Sequence, residues 1–498
     1  MTRPITASML YNLVQCPHRL FLDLHEDPAK KDPESKFVEL LWERGTTFEK
    51  EVMTGVAVPF LDLSGEEDAA KERLTMEAIS RGEPLIYGGR IRSGDLLGEP
   101  DLMRRQAGGY IAGDIKSGSG FEDASDDLSD GKPKKHYAVQ LGLYNDILEK
   151  MGVSAGRTPF IWDVHGREVT YDLDTTPGPR TPETLWSLYQ DSLAQAKRIV
   201  FRSERTLPAY SGTCKLCHWN SFCKHHLRKA DDLTLVPELG RAKRDVMLSR
   251  IRTVAQFAGM DITPLISGKK TVFAGIGSNT LRKLQKRALL LADDQSQPYI
   301  KTSPPLPDIE RELFFDIETD PMRDICYLHG FVERLGRDNS SERHLPFLAE
   351  TATPEGEREA FRQAWEYVCS SRPAAMYFYS KYERTWWRIL QQRYPDIATA
   401  QQIEELFDPA TAVDLYYDVV LSCTEWPTND YSIKTLATYL GFNWRDKTPS
   451  GAESIEWYNR WVETGDPMLR SRILEYNEDD CIATRVLLDG IRSLPGPA

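Results

Sequence analysis

Asp101, Asp114 and Lys116 lie close together in GEPDLMRRQAGGYIAGDIK, Gly98 to Lys116, a stretch that reads as a hairpin. Leu97 to Met103 and Gly109 to Lys116 are its expected arms. Gln106-Ala107-Gly108-Gly109 is the expected turn, because glycine accepts the positive φ that tight reversals demand. Side chains alternate along a strand, so Asp114 and Lys116 share one side while Ile115 takes the other. Two carboxylates and an ammonium gathered this way suit phosphodiester hydrolysis. Asp101 and Asp114 can hold a divalent metal, and Lys116 can position or deprotonate the attacking water.

Downstream, AVQLGLYNDILEKM places Gln140 and Tyr144 on one helical face. The P-D, D-x-K and Q-x3-Y set resembles the PD-(D/E)xK nucleases of the RecB type. The resemblance implies that Gln140 and Tyr144 line the DNA-binding side of the active site. That family usually has a histidine four residues after a glycine on an earlier helix; here ERGTTFEKEV sets Glu49 after Gly45, and glutamate is also a metal ligand.

A second acid pair ends the apolar run ELFFDIETDP, where alternation puts Asp316 and Glu318 on one side of a strand. Adjacent carboxylates repel unless a cation intervenes. Near the C-terminus, EYNEDDCIATRVLLDGI carries Tyr476 and Asp480 on one helical face. DIET with Y-x3-D resembles the tyrosine branch of the DEDD exonucleases, which have a ribonuclease H-like fold and use two metals about 4 Å apart. The resemblance implies that Tyr476 orients the attacking water and Asp480 completes the metal site. The family's second acid follows an aromatic, and in MYFYSKYERTWWRIL the candidate is Glu383 after Tyr382, with Asp414 the other available acid. Lys434, in YSIKTLATYLGF, falls in a segment many such exonucleases share.

Cys214, Cys217 and Cys223 read C-x2-C-x5-C, and Cys16 stands alone near the start. Such a trio can bind zinc, with His225 or His226 completing a tetrahedron. One cysteine before and three after the nuclease motifs also resembles the iron-sulfur nucleases typified by AddB and the CRISPR adaptation nucleases. That resemblance implies a 4Fe-4S cluster on Cys16, Cys214, Cys217 and Cys223 that clasps the two ends of the domain. Cys326, Cys369, Cys423 and Cys481 lack metal spacing and read as buried thiols.

At 498 residues and 41% hydrophobic content the chain has material for several cores. The expected fold class is α/β multidomain. Residues 1–232 are a restriction-endonuclease-like domain with the Fe-S cluster, 233–305 a helical and basic segment, and 306–498 a ribonuclease H-like domain. In the middle, Glu238 to Arg252, Thr253 to Phe257 and Ser278 to Leu291 are candidate helices. Gly275-Ile276-Gly277 before the last resembles a helix-hairpin-helix turn that grips a DNA backbone through amides, with Lys283 nearby. Ser119 to His136 reads as a mobile loop whose Lys134 and Lys135 can meet phosphates.

A net charge of -13 excludes a simple DNA-coating protein but not a nuclease with local basic patches. No apolar run approaches the roughly 20 residues of a membrane span, and no signal peptide opens the chain, so a cytoplasmic protein is expected. The combined reading is a Mg²⁺- or Mn²⁺-dependent DNA nuclease for single-stranded or frayed ends, in repair or defence. The sequence leaves three alternatives: an RNA-processing exonuclease, an inactive nucleic-acid-binding Fe-S scaffold, and a zinc-stabilised adaptor. No Walker A motif is present, so any unwinding falls to a separate helicase.

Overall fold

A computed structural model describes residues 3–34, 36–122, 131–176, 178, 182–447 and 450–496. The chain forms two compact units, Met1–Pro208 with Thr213–Phe222, and Ala209–Gly212 with Cys223–Ala498. It is a mixed α/β, multidomain architecture. No helix among the described residues is long and apolar enough to cross a membrane.

In the first unit, strand Leu102–Gln106 pairs antiparallel with strand Gly109–Ile115, and Gln106 faces Gly109 across the turn. Gly108 takes φ +96°, a conformation a Cβ disfavours. The first arm is shorter than the sequence suggests. Leu96–Gly98 instead joins Ile91–Ser93 and Ile5–Thr6 in a separate three-stranded sheet. Pro100, which has no N–H to donate, lies between the two ladders.

The hairpin is the centre of a six-stranded mixed sheet, flanked by Phe160–Trp162 and Glu168–Thr170 on one side and by Leu85–Tyr87 and Leu61–Asp62 on the other. Alternation sorts its residues into two cores. Leu102, Ile111 and Ile115 pack with Met53 of helix Lys36–Thr54. Met103 and Ala112 pack with helices Ala7–Gln15, Lys135–Lys150 and Leu185–Val200 through Leu10, Leu141, Ile147 and Tyr189. Asp114 has the parity of Ala112, so it faces the side covered by helix Lys135–Lys150. Of the expected mobile loop, residues 123–130 lie outside the described residues, and its ends pair as strands Phe121–Glu122 and Lys132–Pro133.

In the second unit, a five-stranded sheet runs in the order Asp338–Leu348, Ile325–Leu335, Arg311–Asp320, Ala375–Phe378, Ala412–Asp414. The first three strands are antiparallel, and the last two run parallel to Arg311–Asp320. Leu313, Phe315 and Ile317 point into a core with Phe361, Trp365 and Trp387. Phe314 points the other way, toward Leu487, Leu488 and Ile491 of helix Pro467–Ser493. Asp316 and Glu318 share the parity of Phe314 and so face that helix. Trp386, Trp387 and Trp426 are buried, as expected of packing tryptophans. Cys326, Cys423 and Cys481 are buried too, but Cys369 is exposed near the end of helix Pro354–Ser370, which corrects the reading of all four as core thiols.

Residues of the middle segment share their own core, including Phe257, Ile276, Leu281 and Leu284. Its first helix runs only Gly240–Met247, because Glu238 sits at φ +63°, outside helical space. Helices Val254–Gly259 and Ser278–Ala292 enclose the short pair Ile266–Ser267 and Lys270–Thr271. Gly275 has φ +74° and Gly277 is the N-cap of the last helix. Arg287 does not belong to a surface basic patch: it is fully buried and paired with Glu425 at 2.8 Å and Glu238 at 2.5 Å.

Helices Lys135–Lys150 and Leu185–Val200 approach closely at Gly142, where a Cβ would lie 2.7 Å from Cγ of Tyr189. The overpacking cost of about 1–3 kcal/mol exceeds the roughly 1 kcal/mol by which alanine favours a helix over glycine. Gly142→Ala is therefore expected to lower the urea midpoint, and a raised midpoint would show that Tyr189 moves aside freely.

Candidate active sites

At the hairpin, Asp114 is buried, and its Oδ2 lies 2.7 Å from Lys116 Nζ. The Asp101 carboxylate accepts a hydrogen bond from the Ile115 amide at 2.8 Å, which ties one arm to the other across the acids. Burial pushes the Asp101 carboxyl well above the usual range, and the neighbouring Asp114 and Glu49 charges push the same way while Lys116 opposes them. Glu49, on helix Lys36–Thr54, adds its charge to the burial that raises the Tyr87 hydroxyl pKa. Partial burial opposes charge on the Lys116 ammonium, but Asp114 and Asp101 raise its pKa above the ordinary value, which favours the cation.

Tyr144 and Gln140 sit one turn apart on helix Lys135–Lys150. The Tyr144 hydroxyl donates to the Glu99 carbonyl at 3.3 Å, and Gly98 leaves room for its ring: a Cβ there would be 2.8 Å from Tyr144 Cδ1. Gln140 Oε1 is buried with no hydrogen-bond partner. Lys134 is the N-cap of the same helix, and Lys135 is exposed at its first turn. Lys116 and Lys134 both lie over the Tyr137 ring, at 5.7 and 5.3 Å.

Cys16 separates helices Ala7–Gln15 and Pro17–His25, while Cys214 lies in the turn Gly212–Leu216. Burial pushes the Cys217 thiol up, and the sulfurs of Cys16 and Cys214 add to the shift, so the three thiols stand within electrostatic reach. Asp23 draws this segment onto the N-terminal helices by accepting from His218 at 2.7 Å and Trp219 at 2.9 Å. Cys223 lies on helix Asn220–Lys229. Lys283, on helix Ser278–Ala292, is engaged with Glu238 at 2.8 Å.

In the second unit, Asp316, Glu318 and Asp480 each offer a carboxylate oxygen within 4.8 Å of the others. Burial pushes all three carboxyls up. Coulombic repulsion from Asp480 adds to the rise at Asp316, and Asp316 and Asp480 add to it at Glu318. Glu383, at the start of helix Tyr382–Arg393, is buried, raised by burial and then by Asp316, and its Oε2 has no hydrogen-bond partner. Asp414 differs, since its Oδ1 accepts from the Ser380, Tyr416 and Tyr417 amides; burial nonetheless lifts it to about 6. Asp316, Glu318 and Asp480 form a donor set that fits divalent cations, and Glu383 lies outside that 4.8 Å group.

Tyr476 and Asp480 share one face of helix Pro467–Ser493, as the i, i+4 spacing requires, and burial with the nearby Asp480 charge pushes the Tyr476 hydroxyl well above its ordinary pKa. Residues 313–491 match the family model RNase_H_2, of the RNase H superfamily. The C-terminal part of the chain is an RNase H-like domain. Such domains are generally metal-dependent nucleic-acid hydrolases. No curated protein matches the chain.

Two partners in the RNase H-like domain, Asn477 and Trp444, escape sequence reading, and a third, Lys434, enters there only as context. Asn477 Nδ2 donates to Asp316 Oδ2 at 2.9 Å, and Gly330, paired with Asp316 across the sheet, makes the approach possible: a Cβ there would lie 1.5 Å from Asn477 Oδ1. Trp444 Nε1 donates to Asp480 Oδ1 at 2.7 Å. Lys434 Nζ donates to the Tyr476 hydroxyl at 3.0 Å, which turns a contextual residue into a site residue. Only the N-E-D-D spacing, with Asn477 one turn before Cys481 on the sheet-facing stripe, hinted at the first.

Because the raised carboxyls oppose folding when ionised without a cation, Glu318→Gln is expected to raise the melting temperature of the metal-free chain by about 2–4 °C, the response to roughly 1 kcal/mol. The same variant is expected to lose most of the stabilisation that Mn²⁺ gives the wild type. An unchanged Mn²⁺ shift in Glu318→Gln would remove Glu318 from the metal site. Gly330→Ala is expected to cost about 1–3 kcal/mol and to impair metal-dependent activity, read by chemical denaturation beside a cleavage assay.

Proposed function

We propose that this chain is a metal-dependent DNA nuclease with two active sites, acting on single-stranded or frayed ends, in repair or defence. The observation that carries the reading is the convergence of Asp316, Glu318 and Asp480 within 4.8 Å in an RNase H-like domain. In that site, Asp316, Glu318, Glu383 and Asp480 would hold Mg²⁺ or Mn²⁺. The cation supplies charge stabilisation to the phosphodiester as it is attacked. Tyr476, held between Lys434 and Asp480, orients the nucleophile. Asn477 and Trp444 fix the carboxylates of Asp316 and Asp480 so that neither must reorganise during reaction.

In the RecB-like site, Asp101 and Asp114, helped by Glu49, would hold the cation. Lys116 brings a permanent positive charge to the transition state, and Gln140 and Tyr144 position the strand. Lys134, Lys135, Lys283 and the Gly275–Gly277 amides are the proposed backbone contacts. Cys16, Cys214, Cys217 and Cys223 would carry a 4Fe-4S cluster that fastens the ends of the first domain. The electrostatic influence of Cys16 and Cys214 on the Cys217 thiol supports this donor set. A separate helicase would supply unwinding.

Digestion of end-labelled single-stranded DNA with Mn²⁺, using anaerobically purified protein, tests both sites. Lys116→Ala and Asp316→Ala are each expected to abolish one product pattern, with a loss of at least about 100-fold. Binding without loss of either label would refute DNA cleavage, and preferential digestion of a matched RNA would reassign the substrate. Iron and acid-labile sulfide in the purified chain, lost together in Cys217→Ala, are expected for the cluster; zinc in their place would overturn it.

A further inference from the structure

A cavity of about 500 Å³ in the first unit lies beside the cysteine segment, away from the hairpin acids, and belongs to neither proposed active site. Its walls carry Arg3, Arg19 and Lys31 together with the hydroxyls of Thr6 and Ser8. Asp23 is the one carboxylate in the lining. Thr6 is the N-cap of helix Ala7–Gln15, accepting from the Met9 amide, so the positive end of that helix also borders the space. Three cations against one anion leave the lining with a surplus of positive charge.

Asp23 offsets only part of that surplus. Despite burial, the hydrogen bonds from His218 and Trp219 hold its carboxyl at about 2, and Lys31 pairs with it at 3.2 Å, so the net excess rests on Arg3 and Arg19. Arg19 Nε stays 3.9 Å away and makes no hydrogen bond. Arg3 is exposed at the rim. The arrangement is a walled pocket with separate donors, which suits a compact, doubly charged anion better than a strand laid along a flat surface.

We infer that this pocket binds the terminal phosphate of a nucleic-acid strand, anchoring an end beside the cysteine segment. The inference rests on the nucleic-acid reading above and deepens it. A phosphomonoester offers two charges and three acceptor oxygens, which match cations from three separate positions of the chain, while the Thr6 and Ser8 hydroxyls in the lining bond each other at 2.9 Å. A strand ending in a hydroxyl lacks that group and gains only backbone contacts.

The test is equilibrium binding of the full chain in EDTA to single strands bearing a 5′-phosphate, a 3′-phosphate or hydroxyls at both ends, with inorganic phosphate as competitor. One phosphate-ended strand is expected to bind about tenfold tighter than the hydroxyl-ended strand, and phosphate is expected to erase the difference. Arg3→Gln and Lys31→Gln should each abolish the preference and lower the slope of log affinity against log salt by about one. Arg3 lies outside regular structure, so its variant reports even if a change at Lys31 disturbs the fold.

Equal binding of all three strands by the wild type would overturn the inference, as would a preference that survives in Arg3→Gln. Competition by inorganic phosphate without any end preference would assign the pocket to a free anion and overturn the strand-end role. Loss of the preference with Mn²⁺-dependent cleavage intact removes this pocket alone. A retained preference without cleavage removes the nuclease reading alone.

Discussion

Mutual repulsion among Asp316, Glu318 and Asp480 is the constraint around which the RNase H-like domain is built. Three carboxylates within 4.8 Å, one buried and two partly buried, repel one another in isolation. The domain meets the problem by surrounding them with donors that cannot drift: the Asn477 amide, the Trp444 indole N–H, and Lys434 acting through Tyr476. These groups soften the repulsion without abolishing it, since all three carboxyls remain raised. In the proposed function a divalent cation would complete the charge balance and so couple metal binding to stability.

Such a site works only if helix Pro467–Ser493 keeps its register against the sheet. Apolar packing of Leu487, Leu488 and Ile491 supplies adhesion but little register. Register comes from polar contacts that fit one way. Arg334, buried in strand Ile325–Leu335, joins Glu312 at 2.6 Å to Asp489 of the helix at 2.7 Å, and Arg492 returns to Glu312 at 2.7 Å. A slip of the helix would strand these charges in the interior at a cost of several kcal/mol. Gly330 provides the matching steric key, because only a residue without Cβ admits Asn477.

The first unit meets a related electrostatic problem differently. There a lysine is built into the acid pair, with Lys116 at 2.7 Å from Asp114. An internal cation lets the acid pair form around a buried aspartate. The two units thus gather carboxylates on separate sheets, one set balanced partly from within by a lysine and the other braced by amide and indole donors.

Local pattern determined much of this. The period-2 alternation of ELFFDIETDP was enough to put Asp316 and Glu318 on one face, and the i, i+4 spacing enough to pair Tyr476 with Asp480, because both follow from backbone geometry alone. The hairpin was legible from its glycines, though its first arm was not, since whether Leu96–Gly98 pairs with Met103's strand or with Ile5–Thr6 depends on distant segments. Glu383 was legible as an acid after an aromatic, while its nearness to Asp316 was not. Tertiary structure alone decided that Arg287 is a buried ion-pair partner rather than a surface cation, that Gly330 exists to admit Asn477, and that Trp444 and Lys434 complete the site. These are contacts between residues far apart in the chain, and one-dimensional spacing carries no information about which remote side chain fills a given space.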